Sequence, residues 1–285
     1  MKSFSKLLFS TPGIPLSTPG KDTIAGIKQV KALGLDAMEL EFVHSIYLTK
    51  ESAVHVGHCA KEEDIILTIH APYTLNLNAE NPGIRYATIN RVVQCAEVGH
   101  ALGALSVVFH PGFYLKQDPS EVYQTIRKGF EKMLTKLDEQ SLNIQIAPET
   151  TGKPTQFGSL EELVGLAKEI NHPKLGFCID FAHLHARSNG KYNTKEEFCT
   201  IFDYIGQELG GEKLKRMHMH YSGLTYSEKG EKKHLPFKES DAAYETLLEV
   251  MKIYDVRGIL VIESPIMETD CLMLKNLFYP LWRGD

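Results

Sequence analysis

The segment Cys178-Ile-Asp-Phe-Ala-His183 closes an apolar run that begins at Leu175. If that run is a strand, Asp180 stands at its carboxyl end and His183 on the turn that follows, so a carboxylate and an imidazole face one space. The same ending recurs along the chain. His70 follows residues 65–69, His110 follows 105–109, Glu149 follows 144–147, His218 follows Leu214, and Glu263 follows 259–262. Neutral imidazole and carboxylate are the ligands of zinc and related divalent ions, and this many exceed what one tetrahedral zinc can use. Two or three metals are expected. Metals a few ångströms apart suit phosphate ester hydrolysis, with Glu149 as a bridging carboxylate. His44, His55, His58, His100 and His172 lack such positions and read as ordinary core or surface residues.

Those endings need a scaffold that brings them together. Apolar stretches at 7–10, 37–43, 65–69, 105–109, 144–147, 175–181, 214–221 and 258–262 read as eight strands. Between and after them, helical spacing is expected at 23–33, 51–63, 86–102, 119–139, 159–170, 194–210, 241–254 and 271–281. Capping boxes at Ser159–Glu162 and Thr194–Glu197 open two of these helices, and Val122, Ile126, Phe130, Met133 and Leu137 form the apolar stripe of another. Strands alternating with helices imply a parallel sheet with right-handed crossovers, closed as a single-domain (β/α)8 TIM barrel. In such barrels the active site lies at the carboxyl ends of the strands. Glu39 and Glu41 share one face of their strand, at the barrel interior or as hydrogen-bonded structural glutamates, and His218 and His220 likewise share a face. Residues 223–240 read as a polar loop carrying Lys229, Lys232, Lys233 and His234.

At 285 residues and 43% hydrophobic, the chain can bury a large core as one domain. A formal net charge of -5 excludes a surface coated in positive charge, so nucleic-acid binding must come from local features. Five scattered cysteines without a Cys-x-x-Cys pair suit reduced thiols packed in the core of an intracellular, cytoplasmic protein. The first apolar stretch is too short for a signal-peptide core, and no window approaches a membrane span.

Several pieces together resemble the endonuclease IV family of apurinic/apyrimidinic endonucleases. They are His70-Ala-Pro-Tyr73 with Leu75-Asn-Leu77, Phe109-His-Pro-Gly112, Pro148-Glu-Thr150, Cys178-Ile-Asp-Phe-Ala-His183, Met217-His218 and Ile262-Glu-Ser264. The resemblance runs in family order from the third strand to the eighth. It implies a zinc-dependent DNA-repair enzyme acting on double-stranded DNA with abasic sites, monomeric, and cutting on the 5′ side to leave a 3′-hydroxyl and a 5′-deoxyribose phosphate. It further implies that His70 and His110 hold one zinc, Asp180, His218 and Glu263 a second, and His183 and His234 a third. Glu149 would bridge the first two and orient the attacking hydroxide, and Tyr73 would help hold the distorted DNA. Lys232 and Lys233 are expected to contact phosphate.

The chain departs from the family in three places. The carboxylate expected two residues before the loop histidine falls on Lys232, which makes a weak third site the expectation unless Glu231 substitutes. Phe9-Ser-Thr-Pro-Gly13 replaces the family's His-Val-Ser, and His220-Tyr221 stands where Asn-Asp is usual after His218. A sugar isomerase or epimerase on a related barrel, using Glu149, Asp180, His218 and Glu263 around one manganese or magnesium, is the enzymatic alternative. It leaves His70, His110, His183 and His234 idle. A protein that binds abasic DNA without cleaving it is the alternative from another class.

Overall fold

The computed structural model describes residues 4–280. Eight parallel strands form the barrel: β1 (Leu7–Pro12), β2 (Ala37–Glu41), β3 (Ile66–His70), β4 (Ser106–Phe109), β5 (Gln145–Pro148), β6 (Cys178–Asp180), β7 (Met217–Tyr221) and β8 (Gly258–Ile262). Their order is β5-β4-β3-β2-β1-β8-β7-β6, and bridges from Ile146 to Leu175 and from Glu149 to Cys178 join its two ends. These strands are buried on both faces, which is why they read as apolar runs with little alternation.

Helices α1 (Thr23–Ala32), α2 (Lys50–Glu62), α3 (Pro82–Leu102), α4 (Pro119–Glu139), α5 (Leu160–Ile170), α6 (Phe181–Arg187), α7 (Lys195–Leu209), α8 (Tyr244–Ile253) and α9 (Glu268–Phe278) surround the barrel. Side-chain caps start most of them. Both expected capping boxes form, and Gly103 ends α3 at φ +69°, a conformation glycine adopts without strain. The α4 stripe from Val122 to Leu137 is fully buried against the barrel, so truncating Phe130 to Ala should cost about 3–5 kcal/mol. Inside the barrel, Leu8, Ala37 and Ile259 pack toward the amino-terminal end, with Val261 joining them from further along β8. Above these residues the lumen turns polar.

The expected segments are present with shifted ends, and two features differ in kind. Residues 178–180 are the strand within the expected 175–181, because the Asp180 carboxylate accepts the His183 backbone N–H at 2.7 Å and starts α6 there. His183 therefore sits on a helix. The expected polar loop at 223–240 is instead an antiparallel hairpin of Gly223–Ser227 and Gly230–Leu235. Its turn is made possible by Gly230 at φ +90°, and Leu224 buries its apolar side. The closing helix ends at Phe278, and Leu281 of the expected segment lies outside the described residues.

Candidate metal centre

Glu149 lies just beyond β5, fully buried, with its N–H donating to the Phe109 carbonyl at 3.0 Å. Its two oxygens face different partners. Oε2 is 3.2 Å from Nε2 of His70 and 3.0 Å from Nε2 of His110, while Oε1 is 3.1 Å from Nδ1 of His220 and 3.4 Å from Nδ1 of His183. Two donor sets meet at this carboxylate. Ligand atoms of His70, His110 and Glu149 lie within 4.8 Å of one another, as do those of Glu149, Asp180, His220 and Glu263.

Four of the inward imidazoles have one nitrogen facing an oxygen on the far side of the ring. Nδ1–H of His70 donates to the Ala71 carbonyl at 2.8 Å, that of His183 to Thr150 at 2.9 Å, and that of His234 to Glu263 at 2.8 Å. In His220 the direction is reversed, with Nε2 set 3.0 Å from Glu39 Oε1 and Nδ1 turned to the centre. With one nitrogen so placed, the other becomes a lone-pair donor once a cation takes the place of its proton, the arrangement that metal-ligating histidines adopt.

In the structure His220, not His218, lies together with Glu149, Asp180 and Glu263. Strand β7 ends at Tyr221, so His220 occupies the carboxyl-terminal inward position and His218 the layer beneath. There His218 Nδ1 contacts Ser106 Oγ at 2.9 Å, and Cys178 and His220 are close neighbours. The signal was present in the sequence, since the two histidines share a face and the later one lies nearer the strand end.

The hairpin supplies the next residues. Nε2 of His183 is 2.8 Å from Oε2 of Glu231, and His234 borders the same cavity with its ring 6.3 Å from that of His183. Glu231 and His234 are three residues apart and would face opposite sides of a regular strand. The register shifts between Thr225 and Tyr226, whose partners are Lys233 and Glu231, so Lys232 is the extra residue of a bulge. That bulge turns both side chains toward the site.

Lys232 and Lys233 themselves are exposed and do not line the cavity of about 290 Å³ above Glu149. Lys153 does, 3.7 Å from Glu231, and sequence reasoning missed it. Tyr73 lines the same cavity, 54% exposed, with its ring 5.1 Å from that of His70.

Burial disfavours charge on the acidic groups here, and pairing decides the outcome. Against burial, His220 and His110 hold Glu149 well below the usual carboxylate range, and His220 holds Glu263 at about 2. Burial likewise opposes ionisation of Glu231, yet His183 brings it to about 2. For Asp180 burial wins and pushes the carboxyl up to about 6. For His70 it loses to Glu149, which with nearby carboxylates raises the imidazole to about 10.

These residues fit divalent cations on a local test. Asp180 Oδ2 and Glu231 Oε2 are buried without a hydrogen-bond donor. Nδ1 of His183 donates to Thr150, so the proton held between Nε2 and the Glu231 oxygen, 2.8 Å apart, is the one a cation would displace. The mixed nitrogen and oxygen donors suit zinc or manganese.

A family profile described as a xylose isomerase-like TIM barrel matches residues 27–277. Over 275 residues the chain is 38% identical to an uncharacterized protein of Methanocaldococcus jannaschii, covering 96% of this chain and 98% of that one. It is 31% identical over 160 residues to a Geobacillus protein named probable endonuclease 4, an alignment spanning 55% of this chain and about half (51%) of the relative. A structure described as a D-tagatose 3-epimerase-like protein superposes with TM-score 0.71 at 19% identity, covering 95% of this chain and 96% of that one. Endonuclease IV from Thermus thermophilus superposes with TM-score 0.69, also at 19% identity, covering 95% and 97%. At these identities the structural likeness concerns the fold.

Proposed function

We propose that this chain, which belongs to the xylose isomerase-like TIM barrel family, is a metal-dependent phosphodiesterase that incises duplex DNA on the 5′ side of abasic sites. The products are a 3′-hydroxyl and a 5′-deoxyribose phosphate. One observation carries this reading. The compact set Glu149, Asp180, His220 and Glu263, sufficient for a single metal, is extended on one side by His70 and His110 and on the other by His183 and Glu231. That extension supplies more nitrogen and oxygen donors than one metal can take.

His70 and His110 would hold one zinc, Asp180, His220 and Glu263 a second, and His183, Glu231 and His234 a third, with Glu149 shared between the first two. Zinc in such a site polarises the phosphate and makes bound water nucleophilic near neutral pH. The chain's own groups do the rest. Glu149, held ionised, cannot give a proton and serves to orient the attacking water. Lys153 offers the phosphate a cation beside an otherwise anionic mouth, and Tyr73 offers the abasic sugar or its neighbour a flat face. Lys232 and Lys233, outward on the hairpin, would meet flanking phosphates.

The superposed epimerase-like structure and the four-residue set favour a second reading, a single-metal sugar epimerase. Metal stoichiometry tested together with incision separates them. Two or three bound metals and chelator-sensitive incision support the nuclease; one exchangeable metal, with a ketose interconverted and abasic DNA untouched, supports the epimerase.

A further inference from the structure

Beneath the metal centre lies a polar layer that the proposed reaction does not use. Glu39 on β2 is fully buried at the middle of the barrel lumen and touches residues from two other strands. Oε2 accepts the Thr68 hydroxyl at 2.6 Å and stands 3.2 Å from Nε2 of His218; Oε1 stands 3.0 Å from Nε2 of His220. On its other side, His218 receives Ser106 at Nδ1 at 2.9 Å. A buried carboxylate is costly unless it is paired, and this one lies between two imidazoles that lie wholly out of solvent contact or nearly so.

We infer that Glu39 is a positioning residue that fixes the proton of His220 on Nε2, so that Nδ1 presents a lone pair to the metal shared with Asp180 and Glu263. Without a cation, Nδ1 makes the hydrogen bond of this ring, to Glu149 at 3.1 Å, and Nε2 and Glu39 Oε1 stand 3.0 Å apart without one. A cation at Nδ1 leaves the single proton of neutral imidazole on Nε2, where Glu39 is in reach to accept it. The only carboxylate next to Nε2 among the described contacts of His220 is Glu39, whereas Nδ1 faces Glu149 and Glu263 at 3.1 and 3.3 Å. Those last two are the carboxylates that a cation would draw to itself. Without Glu39 the proton would sit on Nδ1, where it blocks the metal. The Thr68 hydroxyl holds the other oxygen of Glu39, and Nε2 of His218 packs 3.2 Å from it, one layer below the donors His218 superficially resembles.

The inference rests on His220 being a metal donor, and its test reads metal binding as well as cleavage. In a competitive chelator titration of the full chain, Glu39→Gln should weaken one metal equivalent by about 10–100-fold and leave the others unchanged. In the cobalt-loaded protein, the exchangeable Nε2 proton of His220 should appear as a shifted resonance that moves or vanishes in Glu39→Gln. If that variant does not fold, Glu39→Asp, which retracts the same charge, supplies the comparison. Equal affinity at every site, or an equal loss at all sites, would overturn the inference. Metal binding with the expected Glu39 effect but no cleavage would defeat the nuclease reading alone; cleavage with no Glu39 effect would defeat only the positioning role.

Discussion

Nε2 of His183 on α6 lies 2.8 Å from Oε2 of Glu231 on the hairpin, across the join between two separate βα units. The sequence places Lys232 where a carboxylate is expected and makes a weak third site the natural expectation. The bulge at Lys232 instead brings Glu231 into reach. Replacing Glu231 with Gln should therefore loosen one metal equivalent by at least about 10-fold in a chelator titration. An unchanged profile would remove Glu231 from the ligand set.

Gly230 governs the hairpin's seat on the barrel. A side chain there would run into the backbone of Gly152, and its φ of +90° strains any other residue. The Glu231 N–H also donates to the Gly152 carbonyl at 3.0 Å. Gly230→Ala should displace the hairpin and release the metal proposed for His183, Glu231 and His234, while the barrel keeps its far-ultraviolet circular dichroism. Retention of all metals would show that the hairpin tolerates the shift.

The pH dependence of stability should expose Asp180. Its carboxyl is raised on folding to about 6 from the usual 3.8, so the folded chain holds this proton longer than the unfolded chain does. Such a group contributes stability that is complete below pH 3.8 and lost as pH rises through about 6. Metal-free Asp180→Asn should melt above wild type at pH 7 and near it at pH 3.5, because the neutral amide removes a cost present only at the higher pH. With metal bound, the order at pH 7 should reverse. Melting curves at the two pH values, with and without zinc, check both halves.

Lys153 is the cation lining the metal mouth. If it meets a phosphate, Lys153→Met should flatten the slope of log affinity against log salt for abasic duplex by about 0.9. No change in slope would leave Lys153 as the partner of Glu231 alone.

The barrel is legible in the sequence, and so are the strand-end positions of His70, His110, Glu149 and Glu263, because each follows an apolar run. What escaped reading depends on geometry that sequence spacing hides. His220 and His218 share a face, and only the strand's end shows which stands at the mouth. Glu231 and His234 fall on the wrong period until a bulge restores them. Glu39 reads equally well as a structural acid, because its partners come from β3 and β7, distant in sequence.

The most direct test of the proposed chemistry uses zinc-loaded protein and a duplex containing one abasic site, with and without chelator. The expected result is a single break on the 5′ side bearing a 3′-hydroxyl, abolished by chelator and slowed about 100-fold or more in Glu149→Gln. A duplex left intact by protein that demonstrably holds its metals, or incision at wild-type rate by the Glu149 variant, would contradict it.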